Sequence, residues 1–412
     1  MMSPGGCSKS RDCQRSEHDH ARDVFVNEAT RNTERRALVA SDSVIARDPR
    51  VLNQIHWLTD SGWTVDSLGR GGKPPEVSGR HYSMARRSII TRVLAYLLLP
   101  SRSIYRVLTA STIPRVAEGH GAYDLVVLNE IELLPWFIEC GGDFVKPGPL
   151  GTTHLDLHEF APSQRGGLAF KLFFRRYRRW LIDFIPSPAI ATRSVVAPGI
   201  AKLYADMFAI PTPAVVRSCP EFVEQDPSPV DPLNIKLVHH GSASLARGPE
   251  SLIEAMYKIE ERFSLHLMLV GPAAEINKLK RKAAPLGQRV VFREPVAVQD
   301  VAAALNRYDL EVIFFPPVTE NLRHALPNKL FQAIQGRLGI VIGESPDMAE
   351  VLSTYGNGVV ARGWAADNLA SAINALDAQA VEQLKKRSGP AAESLNSGNE
   401  KDNFFAATGL SR

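Results

Sequence analysis

The sequence predicts an α/β protein made of two doubly wound domains. Short apolar segments with strand-like alternation recur along the chain with helical stretches between them, the pattern of a parallel sheet covered by helices on both faces. Near the middle, Asp226-Pro227-Ser228-Pro229-Val230-Asp231-Pro232 breaks that rhythm with three prolines. Each proline removes a backbone donor and disfavours helix, so the segment reads as an interdomain linker. A length of 412 residues, with 44% hydrophobic and 22% charged side chains, is long for one core and comfortable for two, since domains usually hold roughly 100 to 200 residues.

Residues 1–36 are rich in Arg, Asp, Ser and Glu and lack the apolar core of a secretory signal, which reads as a disordered leader or an upstream start. Order is expected from Ala37, with a strand over Leu38 to Ile45. Pro49 suits a first helical turn, and Val51, Leu52, Ile55 and Leu58 recur at helical spacing. Gly62 stops that helix, and Trp63 to Leu68 alternates as a second strand. Tyr123 to Leu128, Leu150 to Leu157 and Phe184 to Val196 continue the series, completing a first domain over residues 37–225. Residues 226–232 are the linker. A second domain over 233–376 has strands at Ile235 to His239, Leu265 to Val270, Val290 to Phe292, Leu310 to Phe315 and Leu338 to Ile342. Its helices are expected at Pro249 to Arg262, Val301 to Arg307 and Leu330 to Gln335. Residues 377–412 are polar and helix-compatible, and are expected to pack back across the first domain.

Doubly wound sheets bind ligands beyond the carboxyl ends of their strands, so the loops there carry the chemistry. The loop after Ile235 to His239 runs from His240 to Glu250 and holds Gly241, Arg247 and Gly248. Glycine lets backbone approach an anion, arginine brings permanent charge, and the next helix aims its unpaired N–H groups at the same place. This suits a phosphate; the alternative is a surface loop with a solvated arginine. After Leu310 to Phe315, Pro327 is placed to open a helix with Asn328 and Lys329 in its first turn. A lysine there opposes the helix dipole unless an anion sits beside it, which points to a diphosphate, against the alternative of an exposed helix start.

These residues resemble those of the family 4 glycosyltransferases, bacterial cell-surface glycan enzymes among them. In the second half the resemblance lies in Leu326-Pro327-Asn328-Lys329-Leu330-Phe331-Gln332-Ala333-Ile334, followed by Leu338-Gly339-Ile340-Val341-Ile342. In the first half it lies in Asp48-Pro49-Arg50-Val51, in Tyr123-Asp124-Leu125-Val126-Val127, and in Asp156-Leu157-His158-Glu159, which is similar to the family's D-x-H-E loop. The likeness runs from about Ala37 to the 370s, carried by the order and spacing of motifs that are individually weak. It implies a GT-B fold, two Rossmann-like domains facing a cleft, with a nucleotide-sugar donor on the second and the acceptor on the first. Arg247 and Lys329 would neutralise the donor diphosphate in place of a divalent cation, so neither metal nor cofactor is expected, and no D-x-D motif appears in a convincing loop. His158 would project toward the sugar, Glu320 and Asn321 would meet its hydroxyls, and Gly241, Gly248, Asn328 and Gln332 would complete the donor site. Arg50, Asp156 and Glu159 would belong to the acceptor side. The resemblance also implies retention of anomeric configuration.

Two positions depart from the family pattern. Where many relatives carry glutamates spaced E-x7-E, this chain has His324 and Gln332. Gln332 can still accept a hydrogen bond from a ribose, but forfeits a charge-assisted bond of about 1.5 to 3 kcal/mol for a neutral one of about 1. Where relatives often have a second basic residue after the loop glycine, Ser242 stands.

Cys7, Cys13, Cys140 and Cys219 show no close pairing, which fits a reduced cytoplasm. No apolar run approaches the roughly 20 residues needed to span a bilayer. The remaining histidines, His239 and His240 included, read as structural. From Arg165 to Trp180, Lys171, Arg175, Arg176, Arg178 and Arg179 interleave with aromatic and apolar residues, and six arginines punctuate the apolar region from Arg80 to Leu108. Such segments either lie on an anionic membrane or bury an apolar face in the core beneath a solvated basic one. A net charge of only +4 and the absence of a recognition module argue against nucleic acid. The expected protein is therefore a cytoplasmic glycosyltransferase, peripheral at a membrane's inner face in the first of those readings, acting on a glycan or lipid-linked acceptor. A sugar-nucleotide epimerase of the same fold and a non-catalytic scaffold are the rivals; a nicotinamide dehydrogenase is disfavoured because no G-x-G-x-x-G follows either first strand.

Overall fold

The computed structural model describes residues 35–114, 122–140, 144–147, 151–163, 174–244 and 248–410. Residues 1–34 of the expected leader, Leu150, residues 165–173 of the basic aromatic segment, and Arg247 lie outside the described residues.

The first domain is a seven-stranded parallel sheet of order β3-β2-β1-β4-β5-β6-β7. Its strands are β1 (Arg36–Val44), β2 (Thr64–Arg70), β3 (His81–Ser83), β4 (Leu125–Asn129), β5 (Thr152–Leu157), β6 (Thr192–Val195) and β7 (Ala214–Val215). The helices between them are α1 (Pro49–Asp60), α2 (Ile89–Leu98), α3 (Ser101–Leu108), α4 (Leu134–Cys140), α5 (Arg175–Ile182) and α6 (Pro198–Phe208). Helix α1 starts where the sequence places it: Asp48 caps Val51 N at 3.4 Å and Pro49 fills the first position. The strand expected over Phe184 to Val196 is shorter, because Pro186 and Pro188 supply no ladder donors and the chain turns until Ala191.

The second domain is a six-stranded parallel sheet of order β10-β9-β8-β11-β12-β13. It comprises β8 (Ile235–Ser242), β9 (Phe263–Val270), β10 (Val290–Arg293), β11 (Leu310–Ile313), β12 (Gly339–Ile342) and β13 (Gly358–Val360). Helices α7 (Pro249–Met256), α8 (Ala273–Ala283), α9 (Val301–Leu305), α10 (Glu320–Arg323), α11 (Asn328–Gln335), α12 (Pro346–Tyr355) and α13 (Ala366–Asn374) cover it. Helix α7 ends well short of Arg262: Glu260 and Glu261 would place negative charge at the negative end of its dipole. In both sheets the strand order reverses between the first and fourth strands, which puts a crevice between β1 and β4 and another between β8 and β11.

Between the sheets the chain runs without helix or strand from Val216 to Asn234. The last helices, α14 (Ala378–Ser394) and α15 (Ser397–Thr408), return across both halves: α14 packs on α11 and β12, and α15 on β5, β6 and α1. Trp57 Nε1 donates to Ser397 Oγ at 3.0 Å and its ring meets Phe404. One face of each sheet feeds a single apolar cluster that is continuous through the interface, joining Leu128 and Leu157 to Leu326 and Leu330.

Candidate active site

At the carboxyl ends of β4 and β5, a buried polar network supports one histidine. Asp156, fully buried, is gripped by Arg50 through Nε at 2.6 Å and Nη2 at 2.7 Å. Gln54 Nε2 and Ser194 Oγ each donate to the same carboxylate at 2.6 Å. Asn129 Nδ2 donates to Gln54 Oε1 at 2.9 Å, and Asn129 Oδ1 lies 3.1 Å from His158 Nε2. Glu130 accepts the His158 backbone N–H at 2.9 Å, and its carboxylate is 3.6 Å from His158 Nδ1. Glu130 adopts φ 65°, a left-handed conformation uncommon for a residue with a side chain and often found at functional sites.

The electrostatics follow from this packing. Burial raises the Asp156 carboxyl, but Arg50 and His158 outweigh it and hold that carboxyl well below its usual range. Burial opposes a charge on His158, yet Asp156 and Glu130 raise its pKa on balance. Glu130 is pushed up to about 7, chiefly by burial, with Glu132 adding and His158 opposing. His158 therefore favours its protonated form beside one firmly ionised carboxylate and one that titrates near neutrality.

The second sheet presents its own group at the β8–β11 crevice. His239 Nδ1 donates to Val312 O at 2.7 Å, leaving Nε2 to accept from Lys329 Nζ at 3.2 Å. Burial and the neighbouring ammonium keep His239 neutral, well below the usual imidazole range. Lys329 sits in the first turn of α11, a helix whose Pro327 start has no side-chain cap. Gly241, at φ 111°, passes so close that a β-carbon there would lie 3.6 Å from the lysine Nζ. His240 joins the fully buried Glu311, 2.9 Å from Nδ1, to Gln332, whose Oε1 is 3.0 Å from Nε2.

A cavity of about 390 Å³ lies between the two groups, lined by His158 and Glu159 from the first domain and by Gly241, Asn328, Lys329 and Gln332 from the second. Asn321 also faces it, and its side chain crosses the cleft: Oδ1 accepts from Phe160 N at 2.6 Å and Nδ2 lies 3.4 Å from Glu159 Oε2. Of the expected site residues that are described, four are not on its wall. Arg50 and Asp156 lie beneath His158, engaged with each other. Glu320 stands 3.7 Å from His324 Nε2. Gly248, at φ 80°, is glycine for a packing reason, since a β-carbon would fall 1.9 Å from Phe314 O. His240, read from the sequence as structural, lines the cavity. Asn129 and Glu130 were not singled out, although they directly follow a recognisable strand, the same position that drew attention to His158.

Residues 234–379 match the family model described as Glycosyl transferases group 1. No curated protein matches the chain. Among solved structures, sucrose-phosphate synthase from Thermosynechococcus elongatus is similar with a TM-score of 0.67 at 14% identity, over 90% of this chain and 98% of that one. The α,α-trehalose 6-phosphate synthase of Burkholderia multivorans gives 0.62 at 10% identity, over 91% and 98%. A trehalose-6-phosphate structure from E. coli bound with UDP-2-fluoro glucose gives 0.60 at 9% identity, over 90% and 98%. At such identities the likeness is one of fold, and it extends over both sheets. With the group 1 match over residues 234–379, it shows a GT-B fold whose second sheet is similar to the glycosyl transferases of group 1.

Proposed function

We propose that the enzyme transfers a sugar from a nucleoside-diphosphate donor held by the second domain to a glycan or lipid-linked acceptor on the first, without a divalent cation and with retention of configuration. The observation that carries this is the shared cavity, with Lys329 at the uncapped start of α11 on one wall and His158 on the other. An ammonium, a helix amino terminus and the half-buried backbone at Gly241 suit a diphosphate, and Arg247 is placed by sequence in the same loop. As the glycosidic bond breaks, negative charge grows on the leaving diphosphate, so these groups stabilise the transition state more than the bound donor. His158, biased toward its protonated form by Asp156 and Glu130, is suited to donate to a sugar hydroxyl near the reacting carbon. Retention is carried over from the resemblance of the motifs.

The test is thermal unfolding with UDP, GDP, ADP and TDP sugars, with UDP tried first because of the similar structures. A ligand at 100 times its dissociation constant adds about 2.7 kcal/mol. One nucleotide class should stabilise the protein equally with and without chelator, and the anomeric configuration of the product, read by NMR, should match the donor. A strict requirement for magnesium or manganese defeats the metal-free mechanism; no stabilisation by any nucleotide defeats the donor assignment.

A further inference from the structure

A second cavity, of about 400 Å³, opens beyond the carboxyl ends of β1, β2 and β4, and five arginines line it: Arg70, Arg86, Arg87, Arg92 and Arg178. Among the described residues only two carboxylates, Asp42 and Glu132, share the wall. Both are already engaged, Asp42 with Arg70 at 2.6 Å and Glu132 with Arg178 at 3.5 Å. Arg87 is turned to the carbonyl of Val107 and to Ser111. The side chains of Arg86 and Arg92 have no hydrogen-bond or ion-pair partner among the described residues, and Arg178 Nη2 is buried without one. Five guanidinium groups against two carboxylates leave this wall cationic and suited to an anion.

Helix α2 forms one side of this cavity through Arg92 and Tyr96. Its opposite face is unusual for a water-facing surface: Ile89, Ile90, Val93, Leu94, Leu97 and Leu98 are 50–78% exposed, and only Ala95 is buried. Arg176 on α5 flanks Leu97 and Leu98 from the other side. A continuous apolar ridge rimmed by cations is the surface that an interfacial helix offers to an anionic bilayer.

We infer that α2 inserts into an anionic lipid surface and that the arginine-lined cavity behind it takes the phosphate headgroup of a lipid. Charge complementarity and the position of the apolar ridge at the cavity's rim identify the occupant as a phospholipid-like molecule rather than a soluble phosphate. Because the cavity sits at the strand ends of the acceptor-side sheet, the acceptor class is a phosphorylated lipid; that last clause rests on the transferase reading, whereas membrane docking does not.

Flotation with vesicles of phosphatidylcholine alone, or with added phosphatidylglycerol, tests this. The wild-type protein should float with the anionic vesicles, not the neutral ones, and should be released by salt. Leu94→Glu with Leu98→Glu should abolish flotation, and Arg86→Gln with Arg92→Gln should weaken it about thirtyfold. All these positions are exposed, and circular dichroism checks the fold. Equal flotation by wild type and the Leu94→Glu, Leu98→Glu protein overturns the inference, as does binding of inorganic phosphate without any flotation. Nucleoside diphosphate titration of the same proteins separates the two readings: nucleotide binding without flotation removes the membrane surface alone, and flotation without nucleotide binding removes the donor site alone.

Discussion

Asp156 gathers more donors than any other carboxylate near the cavity, and its behaviour follows from being fully buried among them. Removing its ionic partner strands a buried charge, which typically costs about 3 to 5 kcal/mol. Arg50→Leu should therefore lower stability by about that amount in denaturant titration. Asp156 has a depressed folded pKa, so its contribution is present above the unfolded value and is lost as pH falls through the folded one. The deficit of Arg50→Leu should accordingly shrink toward low pH. Glu130 has the opposite sign. Its pKa rises from 4.5 to about 7 on folding, so the folded chain holds the extra proton and stability falls as pH climbs between those values. Glu130→Gln should flatten that decline in thermal scans, and should also lower the His158 pKa read by NMR, since one of the carboxylates that raise it is gone. A slope that persists in the variant assigns it elsewhere.

At the scale of the element, the start of α11 combines an uncapped helix terminus with Lys329, only 9% exposed and tied to His239. Lys329→Ala removes the charge but leaves the helix, so nucleoside diphosphate affinity should fall by about 1.5 to 3 kcal/mol in isothermal titration. His158 stands at the end of β5, on the other wall. His158→Ala should leave that affinity nearly unchanged while kcat falls, the pattern of an interaction made mainly in the transition state. Unchanged nucleotide affinity in Lys329→Ala would remove α11 from the donor site, and full turnover in His158→Ala would make the histidine a support for the β4–β5 network.

For the whole molecule, the two sheets meet through a few specific bonds at the cavity's edge. Asn321 accepts from Phe160 N, Glu320 N donates to Ser163 Oγ at 3.1 Å, and Asp347 joins His324, at 2.6 Å, to Gly199 N, at 2.7 Å. A β-carbon on Gly199 would fall 1.8 Å from His324 Nδ1, so this contact is close as well as polar. His324, which the sequence resemblance sets against the first glutamate of the E-x7-E spacing, serves the domain junction here. Asn321→Ala combined with Asp347→Ala should enlarge the radius of gyration in X-ray scattering without nucleotide, with saturating nucleotide restoring compactness. No change in the scattering curve would place the rigidity in the apolar cluster and α15 instead.

The sequence alone determined what local chemistry dictates. Strand and helix alternation announced two doubly wound sheets; Asp48-Pro49 and Pro327 announced helix starts; and the polar residues that end β5 and open α11 marked His158 and Lys329. These features depend on neighbours a few residues away, where periodicity and capping are legible. Only the tertiary structure decided the rest, because each remaining feature joins distant segments. Arg50 became a brace for Asp156 across 106 residues, and His240 became a cavity residue by pairing with Glu311 and Gln332. Glu130 acquired its raised pKa from burial that no window of sequence reports. The apolar face of α2 was compatible with either a core or a membrane as long as only its periodicity was known. Whether such a face is covered depends on what the rest of the chain packs against it, and here the described residues leave it open to solvent beside five arginines.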